Sequence, residues 1–106
     1  MASKLSAQES IGELCTLFKL LSDPTRLHIL IELGKGDFTV TDLCEALKLP
    51  QPTVSHHLGL LRMGHFVVNK RSGKTVIYSL SELSKGVKNS LRFTVEPHTV
   101  TVSEIG

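Results

Sequence analysis

Apolar residues recur at helical spacing through the first half of the chain. The earliest group comprises Ile11, Leu14, Cys15, Phe18 and Leu21. These positions share one face of a helix with about 3.6 residues per turn, so they predict an amphipathic helix over residues 7–22. Ser6 and Glu9 fit a capping box ahead of it, in which each side chain satisfies a backbone N–H group.

The next two helices are marked by residues that start and stop them. Asp23 suits the N-cap of a second helix and Pro24 its first turn, while Gly34 is a typical helix end. Thr39 can cap a short third helix. The apolar side of that third helix comprises Val40, Leu43, Cys44 and Leu47.

A tight turn separates the third helix from a fourth. Neither proline of the Leu49-Pro50-Gln51-Pro52 run can continue a helix from the turn before it. Pro52 suits the first turn of a new helix, which we predict over residues 52–63 and which Gly64 ends. The inner stripe of this helix comprises Val54, Leu58 and Leu61.

The pattern then changes from helical spacing to alternation. Residues 65–70 and 74–80 are strand-like and rich in Val, Ile and Tyr. The Arg71-Ser72-Gly73 segment between them predicts a hairpin turn in which the glycine supplies a positive φ.

Two further segments follow this hairpin. Helical spacing returns over residues 81–91, where Leu83, Val87 and Leu91 align and predict a last helix. Residues 92–105 alternate again and predict a terminal strand or hairpin.

The order helix, helix, short helix, tight turn, helix, hairpin predicts a winged helix-turn-helix, a mainly α (α+β) fold with a two-stranded hairpin as the wing. The fourth helix would enter the DNA major groove, and the hairpin tip would lie along the phosphate backbone. The residues predicted to contact DNA are Gln51, Thr53, Ser55, His56, Arg62, Lys70, Arg71 and Lys74.

The charge distribution supports a polyanionic partner. The whole chain has a formal net charge of only +2, but residues 46–92 hold eight basic side chains and Glu82 as their single acid. Residues 1–45 and 93–106 are net acidic. The second half is therefore strongly basic, which is typical of a surface that binds nucleic acid.

Several other classes of protein are disfavoured by the sequence. The 106 residues fit one domain, 1–106, with a core over 7–91 and an extension over 92–106 of unassigned structure. No apolar run is long enough to span a membrane, and no signal peptide begins the chain. Two cysteines make no disulfide framework, so we expect a cytoplasmic protein. No catalytic motif is present, so we expect no enzyme.

Residues 17–80 resemble the ArsR/SmtB family of winged-helix bacterial repressors. The resemblance is strongest in the segments LSDPTRLHIL, QPTVSHHLGLLR and RSGKTVIYSL. It implies a homodimer that binds an operator in double-stranded DNA and leaves it when an inducer arrives. The first and last helices would build the dimer interface. The interface residues so implied are Ile11, Leu14, Phe18, Leu83, Val87 and Leu91.

The resemblance also assigns individual roles around the recognition helix. Gln51, Thr53, Ser55 and His56 match the base-contacting segment of the family, and Arg71 and Lys74 match wing contacts to the DNA backbone. For His57 we expect a packing role, and for Arg26 a structural role beside Asp23.

The inducer is not predicted by the sequence. A Cys-x-Cys metal site on the third helix would need thiolates where this chain has Thr39, Val40 and Thr41, and the 81–91 segment has one acid and no histidine. We therefore expect no metal cofactor. Cys15 and Cys44 lie on apolar stripes, which predicts buried thiols, although a redox-responsive regulator remains an alternative. A winged-helix module that binds another protein instead of DNA is a second alternative.

Overall fold

The computed structural model describes residues 7–87, 90–103 and 105. Its four helices are α1 (Ala7–Leu21), α2 (Pro24–Leu33), α3 (Val40–Leu47) and α4 (Gln51–Met63). Its six strands are β1 (Phe38–Thr39), β2 (Val67–Ser72), β3 (Thr75–Leu80), β4 (Ser84–Val87), β5 (Ser90–Val95) and β6 (His98–Ser103). The strands form two antiparallel sheets, of order β1-β3-β2 and β4-β5-β6. This arrangement confirms the winged helix-turn-helix prediction.

The helix boundaries follow the local signals in the sequence. The Asp23 carboxylate accepts hydrogen bonds from the N–H groups of Thr25 and Arg26 and so caps α2. Thr39 and Asp42 form a capping box at α3, each side chain accepting from the backbone of the other residue. Helix α4 begins at Gln51, one residue earlier than predicted. The capping box predicted at Ser6 lies outside the described residues.

One core joins the helices to both sheets. It draws on α1, α2, α3, α4, the start of the wing and β5. Its members are Leu17, Ile29, Leu30, Leu33, Leu43, Val54, Leu58, Leu61, Phe66, Val67, Leu91 and Phe93. Phe66 and Phe93 meet edge to face with ring centroids 6.1 Å apart. The C-terminal sheet is therefore packed onto the helix-turn-helix rather than appended to it.

The wing is the hairpin of β2 and β3. Ser72 pairs with Thr75, so the two-residue loop is Gly73-Lys74, one residue beyond the predicted turn. Gly73 has a φ of +62°, whereas Lys74 does not have a positive φ, a combination typical of a type II′ hairpin turn. The loop carries Lys74 at its tip, and the three residues Lys70, Arg71 and Lys74 are all exposed.

The predicted last helix over residues 81–91 is wrong. Strand β4 and the start of β5 occupy this segment. A spacing of four residues fits the two-residue period of a strand as well as a helix turn, so the alignment of Leu83, Val87 and Leu91 did not distinguish them. Gly86 disfavours a helix, and here it lies so close to Gly34 that a Cβ would overlap the Gly34 carbonyl oxygen.

This correction removes the basis for half of the predicted dimer interface. Leu91 is 4% exposed and packs inside its own protomer. Leu83 is exposed but lies in the connection between β3 and β4, not on a helix. The side chain of Val87 lies outside the described residues. The terminal hairpin predicted over residues 92–105 is present, as β5 and β6 joined at Glu96-Pro97.

No helix in the described part of the chain is both long and apolar enough to cross a membrane.

Candidate nucleic-acid interface

Helix α4 has one face in the core and the opposite face in solvent. Val54, Leu58 and Leu61 are fully buried, and they anchor the helix against the rest of the domain. Because successive residues turn by about 100°, the outward face carries mainly polar or small residues. The exposed residues of α4 are Gln51, Pro52, Ser55, His56, Gly59, Arg62 and Met63. Thr53 is half-buried.

The first turn of α4 is open to an anionic group. Pro50 occupies the N-cap position and provides no side-chain hydrogen bond to the helix start. The first turn contains no acidic residue. Pro52 has no N–H group and the Thr53 N–H donates to the Pro50 carbonyl oxygen, so the attraction for a phosphate oxygen comes mainly from the helix dipole. Gln51 and its neighbours can contact either the backbone or a base edge.

Gly59 adds a feature that the sequence prediction did not use. A Cβ at this position would meet no atom within 4 Å, so packing inside the protomer does not require a glycine. Glycine in a helix interior costs about 0.5–1 kcal/mol relative to alanine. The bare backbone on the outward face therefore allows a close approach by an external surface, and the signal for it was a glycine in the middle of a helix.

His57 and Arg26 lie behind the exposed face of α4. The His57 side chain is 14% exposed, and its Nδ1 lies 3.4 Å from an Arg26 guanidinium nitrogen and 4.0 Å from Asp23 Oδ1. Arg26 also donates from Nε to the Leu20 carbonyl oxygen at 2.8 Å. These contacts give Arg26 a structural place among three helices, as expected. His56, in contrast, is exposed.

Asp23 gives this cluster a pH dependence. Hydrogen bonding from the Arg26 N–H, together with the nearby His57 and Arg26 charges, lowers the pKa of Asp23 below its usual 3.8, against a smaller opposing effect of desolvation. A carboxyl with a lowered folded-state pKa stabilises the fold above its usual pKa. That contribution is lost as the pH falls below 3.8 and through the folded-state pKa.

We expect Asp23→Ala to lower the free energy of unfolding by about 1 kcal/mol at neutral pH, because α2 loses its N-cap. Asp23→Asn is the matched control, since its amide oxygen can still cap the helix but carries no charge. Urea denaturation at pH 7 and pH 3 measures both effects. If the free energy of unfolding of the wild-type protein differs from that of Asp23→Asn by the same amount at both pH values, the lowered pKa of Asp23 is contradicted.

Helix α1 presents an apolar stripe to solvent. Ile11 and Phe18 are 57% and 52% exposed, and Cys15 between them is exposed as well. Leu14 is half-buried. The prediction of a buried Cys15 is therefore wrong within one protomer, because α1 places Leu17, which was not on the predicted stripe, in the core and leaves Cys15 exposed. Cys44 is half-buried.

The described residues contain no group of three or more His, Cys, Asp or Glu side chains arranged to hold a metal ion.

Comparison with known proteins decides the family. Residues 23–64 match the model of the bacterial regulatory protein, arsR family. Over 65 residues the chain is 40% identical to the transcriptional repressor SdpR of Bacillus subtilis, an alignment that covers 61% of this chain and 72% of SdpR. This chain belongs to the arsR family of bacterial regulatory proteins.

Solved structures of arsR-type regulators share the fold. The transcriptional repressor BigR of Xylella fastidiosa superposes with a TM-score of 0.67 at 36% identity, over 71% of this chain and 76% of BigR. A homodimeric winged helix-turn-helix domain from Mycobacterium bovis has a TM-score of 0.64 at 26% identity, over 76% of this chain and 75% of that one. The arsR-family match begins at Asp23 and ends at Gly64, so it spans α2 to α4 and excludes the C-terminal sheet.

Proposed function

We propose that this protein is a homodimeric transcriptional repressor that binds a specific operator in double-stranded DNA. Helix α4 enters the major groove, and the wing contacts adjacent phosphates. The observation that supports this most strongly is the coincidence of an exposed polar helix face with an acid-free basic segment. Residues 46–81 contain five Lys and Arg side chains and no Asp or Glu.

The proposed contacts divide into two groups. Gln51, Thr53, Ser55 and His56 are short or neutral polar residues at the start of α4, and such residues hydrogen-bond to base edges and nearby phosphates. The cations Arg62, Lys70, Arg71 and Lys74 contact the phosphate backbone, which contributes affinity without sequence information.

The repressor works as a twofold dimer, in which two α4 helices contact half-sites about one turn of DNA apart. The exposed stripe of Ile11, Cys15 and Phe18 on α1 contributes to the dimer interface, together with Leu14. Association of two copies also doubles the positive charge that faces one side of the duplex. We place this activity in the cytoplasm, with an inducer of undetermined chemistry and no required metal cofactor.

A gel shift with the DNA upstream of its own gene tests the proposed function. We expect a discrete complex at moderate salt that an unlabelled copy of the same DNA displaces and a scrambled copy does not. Equal displacement by both competitors would contradict sequence-specific binding. A protein that binds no DNA and instead associates with another protein through α4 would support the alternative of an interaction module.

His56→Ala should reduce discrimination between the operator and a scrambled site by about 1–3 kcal/mol for each base pair that His56 hydrogen-bonds. The physical reason is that an exposed imidazole at the second turn of α4 is placed to hydrogen-bond a base edge. His28→Ala is the control, because His28 is exposed on α2 and pairs with Glu32. Affinities for both sites are measured at one fixed salt concentration. Unchanged discrimination in His56→Ala would remove His56 from the base contacts.

A further inference from the structure

Strand β6 is the outer strand of the C-terminal sheet. It pairs with β5 on one side and with no described strand on the other. An edge strand leaves alternate N–H and C=O groups unpaired, and most proteins protect such edges with charges, prolines or very short strands. Strand β4, at the opposite edge, has four residues and includes Lys85. Strand β6 has six residues, HTVTVS, with no lysine, acid or proline among them.

The side chains of β6 alternate in a way that suits pairing with an identical strand. Val100 and Val102 lie opposite Phe93 and Leu91 and share the core-facing side of the sheet. Thr99 and Thr101 lie on the outer side. Val102 is still 36% exposed, although Phe93, on the same side of the sheet in the neighbouring strand β5, is fully buried. The core-facing side of β6 is therefore incompletely covered.

The interface proposed on α1 is small without a last helix. Stable interfaces bury about 800 Å² on each partner. An aromatic side chain buries about 150–250 Å² when fully covered, so the half-exposed Phe18 supplies only about 100 Å², and the smaller Ile11 supplies no more. The other exposed apolar residues near the C-terminal sheet are Leu83, Val102 and Ile105. A dimer of this chain therefore needs a second contact region.

The N-terminal part of α1 lies beside the turn that leads from β5 into β6. The Ser10 hydroxyl donates to the Glu96 carbonyl oxygen at 3.0 Å, and Glu96 is in the turn that leads into β6. The exposed Ile11 follows Ser10 directly. The apolar stripe of α1 thus begins beside the start of the free strand, and one partner can cover both.

We infer that β6 pairs antiparallel with β6 of a second copy, joining the two C-terminal sheets into one six-stranded sheet across the dimer axis. The inference rests on the homodimer of the proposed function. Residues opposite each other in an antiparallel pair lie on the same face of the sheet. Every register centred on a residue meets this condition, and centring on Thr101 is the one that pairs both valines of each strand with valines, Val100 opposite the second copy's Val102, with Thr101 opposite the second copy's Thr101.

This register predicts one specific cross-link. Directly opposed Cα atoms in an antiparallel pair are about 4.5–5.5 Å apart, within the range of about 4.4–6.8 Å that a disulfide spans. Thr101→Cys should therefore form an intersubunit disulfide under mild oxidation. Thr99→Cys is the matched control on the same strand and face, because two copies of residue 99 would be offset by four residues, about 13 Å along the strands.

The experiment uses the full chain with Cys15→Ser and Cys44→Ala, and non-reducing gels measure the covalent dimer. If that background loses its folded circular-dichroism spectrum, the same substitutions are made in the wild-type chain and the linkage is identified by non-reducing peptide mapping. Covalent dimer at 101 but not at 99 supports the pairing. No cross-link at 101, or an equal yield at 99, overturns it.

Sedimentation and the operator gel shift of the wild-type protein separate this inference from the proposed function. A wild-type dimer that binds its operator, with no cross-link at 101, leaves the repressor proposal standing and overturns strand pairing. A 101 cross-link in a protein that binds no operator supports strand pairing and contradicts the repressor proposal. A monomeric wild-type protein overturns the inference and the homodimer together.

Discussion

Phe93→Ala should lower the free energy of unfolding by about 3–5 kcal/mol, the usual cost of removing a large aromatic side chain from a packed core. Phe93 is fully buried, and its ring meets Phe66 edge to face. Phe66 precedes the wing, whereas Phe93 belongs to the C-terminal sheet. The substitution therefore leaves a cavity where the C-terminal sheet packs onto the winged helix-turn-helix, and the free energy of unfolding depends on contacts between these two parts.

Urea denaturation followed by circular dichroism measures this loss. Thr99→Ala is the control, since Thr99 is exposed on β6 and a surface substitution of this kind changes stability by about 0.5 kcal/mol or less. A Phe93→Ala protein with the same denaturation midpoint as Thr99→Ala would mean that the C-terminal sheet does not contribute to the core.

The second large effect is expected at the wing. Replacing both Arg71 and Lys74 by alanine removes two exposed cations from each hairpin, or four from a dimer. Each phosphate contact contributes about 0.9 to the slope of log affinity against log salt concentration. The slope should fall by about 3.6 units, and operator affinity at about 0.1 M salt should fall roughly a thousandfold or more.

Equilibrium titrations at several salt concentrations give this slope. The control is the double variant Lys19→Ala and Lys35→Ala, which removes the same formal charge from exposed positions on α1 and just after α2. A similar loss of slope in the control would attribute the effect to net charge alone. An unchanged slope in the wing variant would exclude phosphate contacts at Arg71 and Lys74.

The helix-turn-helix and the wing were predictable because their boundaries depend on local chemistry. Asp23 and Thr39 cap helices through hydrogen bonds to residues two or three positions away, and Gly73 satisfies the φ of a tight turn. The exposure of the α4 face followed from the 3.6-residue period in the same way. In each of these interactions, both partners lie within a short stretch of sequence.

The C-terminal sheet was not predictable as a whole because its determinants are distant in sequence. Gly86 meets Gly34 across some fifty residues, and Phe93 meets Phe66 from another element. The spacing of Leu83, Val87 and Leu91 fits a helix or a strand, so only tertiary contacts decided between them. For the same reason, the sequence did not identify Leu17, which lies outside the predicted stripe, as the apolar residue that α1 buries in the core.

Arg26 lies between the two proposed interfaces, the dimer contact on α1 and the DNA contact on α4. Its guanidinium group donates to the Leu20 carbonyl oxygen at the end of α1 and lies 3.4 Å from His57 on α4. One rigid, planar group thus connects the dimer helix to the helix that would enter DNA. A tilt of α1 against its copy would change the separation of the two α4 helices. The spacing of DNA half-sites that the dimer can bind would then depend on how the two α1 helices pack.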